Sequence, residues 1–218
     1  MDRPGRYLCS NCLNRLPFIP INGNCRKCGR TAEKLDGEFL CEDCRVYKPA
    51  FDRVGSVLKF DNEAREMING FKFRQRLHLR NDFTDWMEAL ARSRFNVNEI
   101  DVVSSVPIGF WRRIDRGYNQ CDILARALSN RLNKPYLPRL LKRVGSSRRQ
   151  SELNEEERRK NIIGAFAVRK ADPIRGKTVL IVDDIMTTGS TLSEIASILK
   201  ASGANRVWAI TLARSIHT

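Results

Sequence analysis

Val179-Leu180-Ile181-Val182-Asp183-Asp184-Ile185-Met186-Thr187-Thr188-Gly189-Ser190-Thr191 is the stretch whose reading decides the fold. Val179 to Val182 is short, continuous, apolar and largely β-branched. Turn residues and an amphipathic stretch follow it, which predicts a strand buried on both faces and feeding a helix. The chemistry then sits at the C-terminal end of the strand, where open α/β sheets collect ligands and a helix N-terminus can receive an anion. Thr187, Thr188, Gly189, Ser190 and Thr191 offer amides and hydroxyls, with a glycine that lets the backbone approach a phosphate. Asp183 and Asp184 only accept hydrogen bonds when ionised and would repel a phosphate, so they are expected to face sugar hydroxyls or a bound Mg²⁺. A phosphate beside a diol implies a ribose 5-phosphate.

All thirteen positions resemble the 5-phosphoribosyl-1-pyrophosphate (PRPP) motif of the type I phosphoribosyltransferases. The resemblance implies an α/β fold with a twisted, mainly parallel sheet and flanking helices. Gly176-Lys177-Thr178 ends like a Walker A loop. However, that motif needs a glycine where Ala171 stands, and a P-loop follows its strand where this triplet precedes one.

With 218 residues, 42% of them hydrophobic, the chain can hold one medium α/β domain and a small module. No apolar run has the roughly 18 to 20 residues that span a bilayer, and Met1-Asp2-Arg3-Pro4 opens no signal-peptide core. A cytoplasmic location is the expectation. The formal net charge of +14 favours a polyanionic or highly phosphorylated partner.

Six of the seven cysteines form three Cys-x-x-Cys pairs, Cys9/Cys12, Cys25/Cys28 and Cys41/Cys44, with twelve residues between successive pairs. This is zinc spacing, and two pairs complete one closed tetrahedral site of structural type. Cys25, Cys28, Cys41 and Cys44 are the preferred set, because Gly29 lets the first knuckle turn. Cys9 and Cys12 with Cys25 and Cys28 are the alternative of equal spacing. Residues 1–48 are read as this zinc-ribbon module, which has few large apolar side chains and needs its metal to fold. Residues 49–218 form the larger domain. His78 and His217 lie far from the pairs and are read as surface residues, while Cys121, in step with Leu124, Ala125 and Leu128, is read as core.

Further strands are expected over Val54 to Phe60 and Asp101 to Val106, with helices over Glu63 to Phe73, Leu79 to Arg94 and Tyr118 to Leu132. Lys72 to Arg80 interleaves basic and apolar residues, as either a surface junction or a phosphate-contacting edge. Val106, Pro107 and Ile108, then Arg112, Arg113 and Arg116, put a tight turn and three arginines beyond a strand, which suits a second anion. The type I resemblance implies that this is the pyrophosphate loop. Gly145 to Ile163 has no apolar period and is expected to be a lid that excludes water.

The chain as a whole resembles the ComF family, late competence proteins that join a zinc ribbon to a phosphoribosyltransferase-like domain. The marks are the cysteine pairs, Phe71-Lys72-Phe73, Val106-Pro107, Arg116-Gly117-Tyr118-Asn119-Gln120, Gln150 with Leu153, Arg159 and Asn161, Phe166, and Asp183-Asp184. Many members carry four cysteine pairs where this chain has three, which favours one structural Zn²⁺ over two. The resemblance implies PRPP binding with Mg²⁺ and a role in natural transformation, with contact to single-stranded DNA. Phe18, Tyr47, Trp111 and Tyr118 are candidate stacking residues for DNA, Trp111 first among them. Two alternatives stand beside this. One is an active phosphoribosyltransferase that transfers ribose 5-phosphate to a base. The other is an adaptor for a competence helicase-type partner. The sequence shows no clear general base for an acceptor.

Overall fold

The computed structural model describes residues 7–31, 39–144 and 162–215. Two short helices, α1 (Ser10–Asn14) and α2 (Glu42–Val46), belong to the cysteine-rich N-terminal segment. Next come β1 (Arg53–Lys59), α3 (Asn62–Phe73), α4 (Arg80–Arg94), β2 (Val102–Ser105), α5 (Phe110–Arg116) and α6 (Gln120–Leu132). A small antiparallel pair, β3 (Leu141–Arg143) and β4 (Phe166–Val168), precedes β5 (Thr178–Met186), α7 (Ser190–Ala201) and β6 (Arg206–Arg214). The main sheet has the order β1-β6-β5-β2, and every neighbouring pair is parallel. Helical crossovers make this geometry possible and place helices on both faces.

Each face of the sheet carries its own core. On one side Phe71, Phe83, Met87, Leu124 and Leu128 pack from α3, α4 and α6 onto Leu180, Val182, Ile210 and Leu212. On the other, Ile195 and Leu199 of α7 pack with Val179 and Ile181, and Phe51 and four cysteines join the same cluster. β5 and β6 are buried on both faces, as the run Val179 to Val182 predicts.

β5 is longer than that run. Its register with β6 continues from Thr178 opposite Arg206 to Met186 opposite Arg214, so Asp183 and Asp184 lie inside the strand and not in the turn after it. The parallel ladder holds the backbone extended past the point where side-chain polarity suggests a stop. The helix expected from Leu79 begins at Arg80, after a single 3₁₀ turn at Leu77–Leu79. Asp61 and Asn119 cap α3 and α6, their side-chain oxygens accepting from Ala64 N and Cys121 N.

β1 stands at the sheet edge. The N-terminal segment covers it, since Ile19 N donates to Val57 O and Lys59 N donates to Pro17 O, both at 2.9 Å. Among the described residues no helix is long and apolar enough to cross a membrane. The expected lid, Gly145 to Ile163, lies outside the described residues except for Ile162 and Ile163, and four of the family marks, Gln150, Leu153, Arg159 and Asn161, lie outside them as well.

Candidate functional site

Gly189 makes the loop between β5 and α7. It adopts φ +80°, and a Cβ there would sit 2.6 Å from the Met186 methyl, so the position admits only glycine without strain. Thr188 Oγ1 and Ser190 Oγ lie 2.6 Å apart, and Ser190 N donates to Thr188 Oγ1 at 3.3 Å, which closes the loop on itself. Thr187 to Thr191 thus stand at the N-terminus of a twelve-residue helix, whose first amides and dipole favour an anion.

Asp183 and Asp184 are both buried at the end of β5. Asp184 N donates to Asp183 Oδ1 at 2.9 Å. Asp184 Oδ2 is held by Lys72 Nζ at 2.9 Å and accepts from Gln120 Nε2. Asp183 Oδ1 also accepts from Cys121 Sγ at 3.4 Å. Burial, and then the neighbouring Asp184, push the Asp183 carboxyl up to about 7. The Cys121 thiol is raised well above its ordinary value, first by burial and then by the two carboxylates. The Cys121 thiol and the Asp183 and Asp184 carboxylates all lie within 4.8 Å of one another. The carboxylates suit a hard divalent cation such as Mg²⁺.

Three segments quoted for their pattern converge here. Tyr118 Oη donates to Phe71 O. Arg116 lies over the Phe73 ring at 4.3 Å and donates from Nη1 to Gln120 Oε1 at 3.3 Å, and Gln120 in turn donates to Asp184. Asn119 Nδ2 donates to Val106 O at 3.1 Å, tying the α6 cap to the end of β2. Arg116 is therefore turned inward, while Arg112 and Arg113 on α5 are exposed and Pro107 and Ile108 are half-buried. No residue of α5 is buried.

Sequence reasoning missed Lys72, Gln120 and Cys121 as site residues. In the sequence Lys72 reads as part of a basic stretch, a surface junction or a phosphate-contacting edge, and as a family mark between Phe71 and Phe73, without a partner. Its signal is its place between Phe71 and Phe73 at the end of an amphipathic helix, where the helix rotation carries one neighbour into the core and the lysine toward the sheet end. Cys121 is buried, as its apolar period predicts, yet it touches Asp183 as well as the core.

The second cluster lies across the sheet. The sulfurs of Cys25, Cys28, Cys41 and Cys44 all lie within 4.8 Å of one another, with Cys28 and Cys41 at 3.6 Å. A tetrahedral zinc site with Zn–S bonds of about 2.3 Å has sulfur separations of about 3.8 Å. The four positions fit such an ion. Hydrogen bonds from Cys28 and Cys44 hold the Cys25 thiol far below its ordinary value, whereas burial pushes Cys41 up to about 11. Four crowded thiols cannot all ionise without a cation among them. Cys9 and Cys12 are exposed and stand apart from this cluster.

The stacking candidates are placed differently from one another. Trp111 is 79% exposed and neighbours the exposed Phe110 and Ile114, and Tyr47 is also exposed. Phe18 packs edge-on against Trp86, and Tyr118 is turned toward Phe71.

The phosphoribosyl transferase domain family matches residues 119–218. Competence protein F of Haemophilus influenzae is 30% identical over 214 residues, covering 95% of this chain and 90% of its own. DNA utilization protein YhgH of Escherichia coli K12 is 30% identical over 195 residues, covering 88% of this chain and 84% of its own. Among solved structures, glutamine PRPP amidotransferase from B. subtilis, complexed with ADP and GMP, matches with a TM-score of 0.44 and 20% identity. That match covers 66% of this chain and 30% of the amidotransferase chain.

Proposed function

The chain belongs to the competence protein F family, and we propose that it binds PRPP with Mg²⁺ and acts in DNA uptake, where it handles single-stranded DNA. The observation that carries the ligand reading is the pairing of two buried carboxylates at the end of β5 with a glycine-headed helix N-terminus directly beyond them. A polar loop that only capped a helix has no use for that pair. In this reading Thr187 to Thr191 hold the 5-phosphate, and Asp183 and Asp184 hold the ribose hydroxyls and the metal. Val106, Pro107 and Ile108, with Arg112, Arg113 and Arg116, take the pyrophosphate. Mg²⁺, when bound, neutralises charge on the diphosphate. Lys72 and Gln120 keep the Asp184 carboxylate aimed. Cys25, Cys28, Cys41 and Cys44 hold one structural Zn²⁺.

PRPP should raise the melting temperature only when Mg²⁺ is present, and Asp183→Asn with Asp184→Asn should remove that rise. A wild-type protein that does not respond would sink the ligand assignment. For DNA, Trp111 beside Arg112 and Arg113 offers an exposed ring within positive charge, the combination that binds single strands. Affinity for a single-stranded oligonucleotide should fall steeply with salt and drop in Trp111→Ala, and weak binding at low salt would remove this part of the proposal.

A second reading, transfer of ribose 5-phosphate to a base with release of pyrophosphate, draws on the Asp183 carboxyl at about 7, in the range of a general base at neutral pH. Bases screened for pyrophosphate release from PRPP decide between the two. Silence alongside tight PRPP binding favours binding without turnover.

A further inference from the structure

Arg214 closes β6 and is 2% exposed, yet among the described residues no carboxylate pairs with it. Its Nη1 donates to Cys28 O at 2.7 Å and lies 3.9 Å from Cys28 Sγ, and its buried Nε has no hydrogen-bond partner in the described structure. A guanidinium stays charged at any ordinary pH, and burying it without an anion is strongly unfavourable. A candidate anion beside it is the thiolate cluster, with Cys28 Sγ at 3.9 Å. Four thiolates around one divalent cation keep a net negative charge, so cluster and arginine satisfy one another.

We propose that Arg214 is the counter-cation of the four-cysteine cluster, and that through it the metal state of the cluster is felt at the phosphate loop. The proposal rests on the zinc reading above, and its coupling on the PRPP reading. Arg214 is the register partner of Met186 across the parallel pair, and Ser215 N donates to Met186 O at 2.8 Å. The Met186 methyl packs against Gly189, the head of the phosphate loop. Cys28, Cys44, Arg214, Met186, Gly189 and Ser190 all line a single cavity of about 340 Å³ between the cluster and that loop. The path from the Cys28 sulfur to the helix N-terminus therefore runs through Arg214, its ladder neighbour Met186 and Gly189. Arg94 supplies a contrast on the same knuckle. It donates to Cys25 O at 2.6 Å and to Val54 O at 3.3 Å, and so tethers the knuckle through carbonyls at its other end.

The test uses the full chain. Zinc content is measured first, and a wild-type protein without zinc refutes the zinc reading itself. In zinc-loaded protein, the rate of release to a chelator is then compared among wild type, Arg214→Lys, Arg214→Gln and Arg94→Gln, each checked for folding by circular dichroism. Outer-shell changes at zinc sites cost on the order of tenfold or more in metal affinity. Arg214→Gln, which keeps a donor and loses the charge, should release zinc about tenfold faster by that measure, and Arg214→Lys should stay near wild type. Equal release from Arg214→Gln and wild type, or from Arg214→Gln and Arg94→Gln, overturns the counter-cation role. Should Arg214→Gln not fold, wild-type release against Arg214→Lys still tests it, since a tenfold loss with lysine denies that charge is what matters. For the coupling, Mg²⁺·PRPP affinity is compared between zinc-loaded wild type and zinc-loaded Arg214→Gln, with Arg94→Gln as the control that leaves the route intact. A severalfold loss is expected in Arg214→Gln, and an unchanged affinity there overturns the coupling.

Discussion

The loop after β5 and the segment after β2 stand at the ends of paired strands, and both were expected to receive an anion, yet they are built in opposite ways. Thr187 to Thr191 is fixed before any ligand arrives. Gly189 holds a left-handed turn, Thr188 and Ser190 bond to each other, and α7 begins at once. Beyond β2, α5 has no buried residue, Arg112 and Arg113 are exposed, and among the described residues Arg116 is the α5 arginine with contacts, to Phe73 and Gln120. A preorganised cradle gives affinity because little ordering remains to be done on binding. Exposed arginines steer and adjust, and their contribution is screened by salt. On the proposed reading, the 5-phosphate anchor falls to the first region and an adaptable, charge-driven contact to the second.

The sharpest way to break this contrast is Gly189→Ala. It places a side chain at φ +80° and against Met186, so it should cost about 1 to 3 kcal/mol of strain and weaken Mg²⁺·PRPP binding tenfold or more in a titration. Near-normal affinity would deny that the loop is preformed. Next in size is Lys72→Met, which leaves Asp184 without its cation beside Asp183. It should lower stability in urea melts by about 2 kcal/mol, the usual cost of stranding a largely buried charged group. A change within about 0.5 kcal/mol would make the pair incidental, since surface substitutions fall in that range. Arg112→Gln with Arg113→Gln should weaken PRPP only a few-fold at low salt and converge with wild type as salt rises. An equal loss at all salt concentrations would mean that these arginines are as fixed as the first loop.

The smallest effect concerns pH. The folded protein holds the Asp183 carboxyl at about 7, above the unfolded value near 3.9, so the native state binds the extra proton. This contribution to stability is full below about pH 4 and is lost as pH rises through 7. The melting temperature of the ligand-free wild type should therefore fall relative to Asp183→Asn between pH 5 and 8. Parallel curves would contradict the burial argument.

Much of this contrast was legible in the sequence, and what was not has a common cause. Val179 to Val182, the hydroxyl loop and the cysteine spacing are local patterns, and each appears as a strand, a helix-heading turn and a sulfur cluster. Lys72 and Asp184 are far apart in the chain and meet only because α3 and β5 end on the same side of the sheet. The continuation of β5 through Asp183 to Met186 depends on its ladder with β6, and Arg214 finds the first knuckle only once β6 is in place. Period and composition report which face a residue takes. They do not report which distant residue it meets there.

The central claim is that this chain carries a preformed Mg²⁺-dependent PRPP site at the end of β5. Isothermal titration of PRPP into the wild-type protein tests it most directly. The account predicts saturable binding at one site per chain with Mg²⁺ and loss of that binding when the metal is chelated. No saturable heat with Mg²⁺ present, or the same binding after chelation, would contradict it.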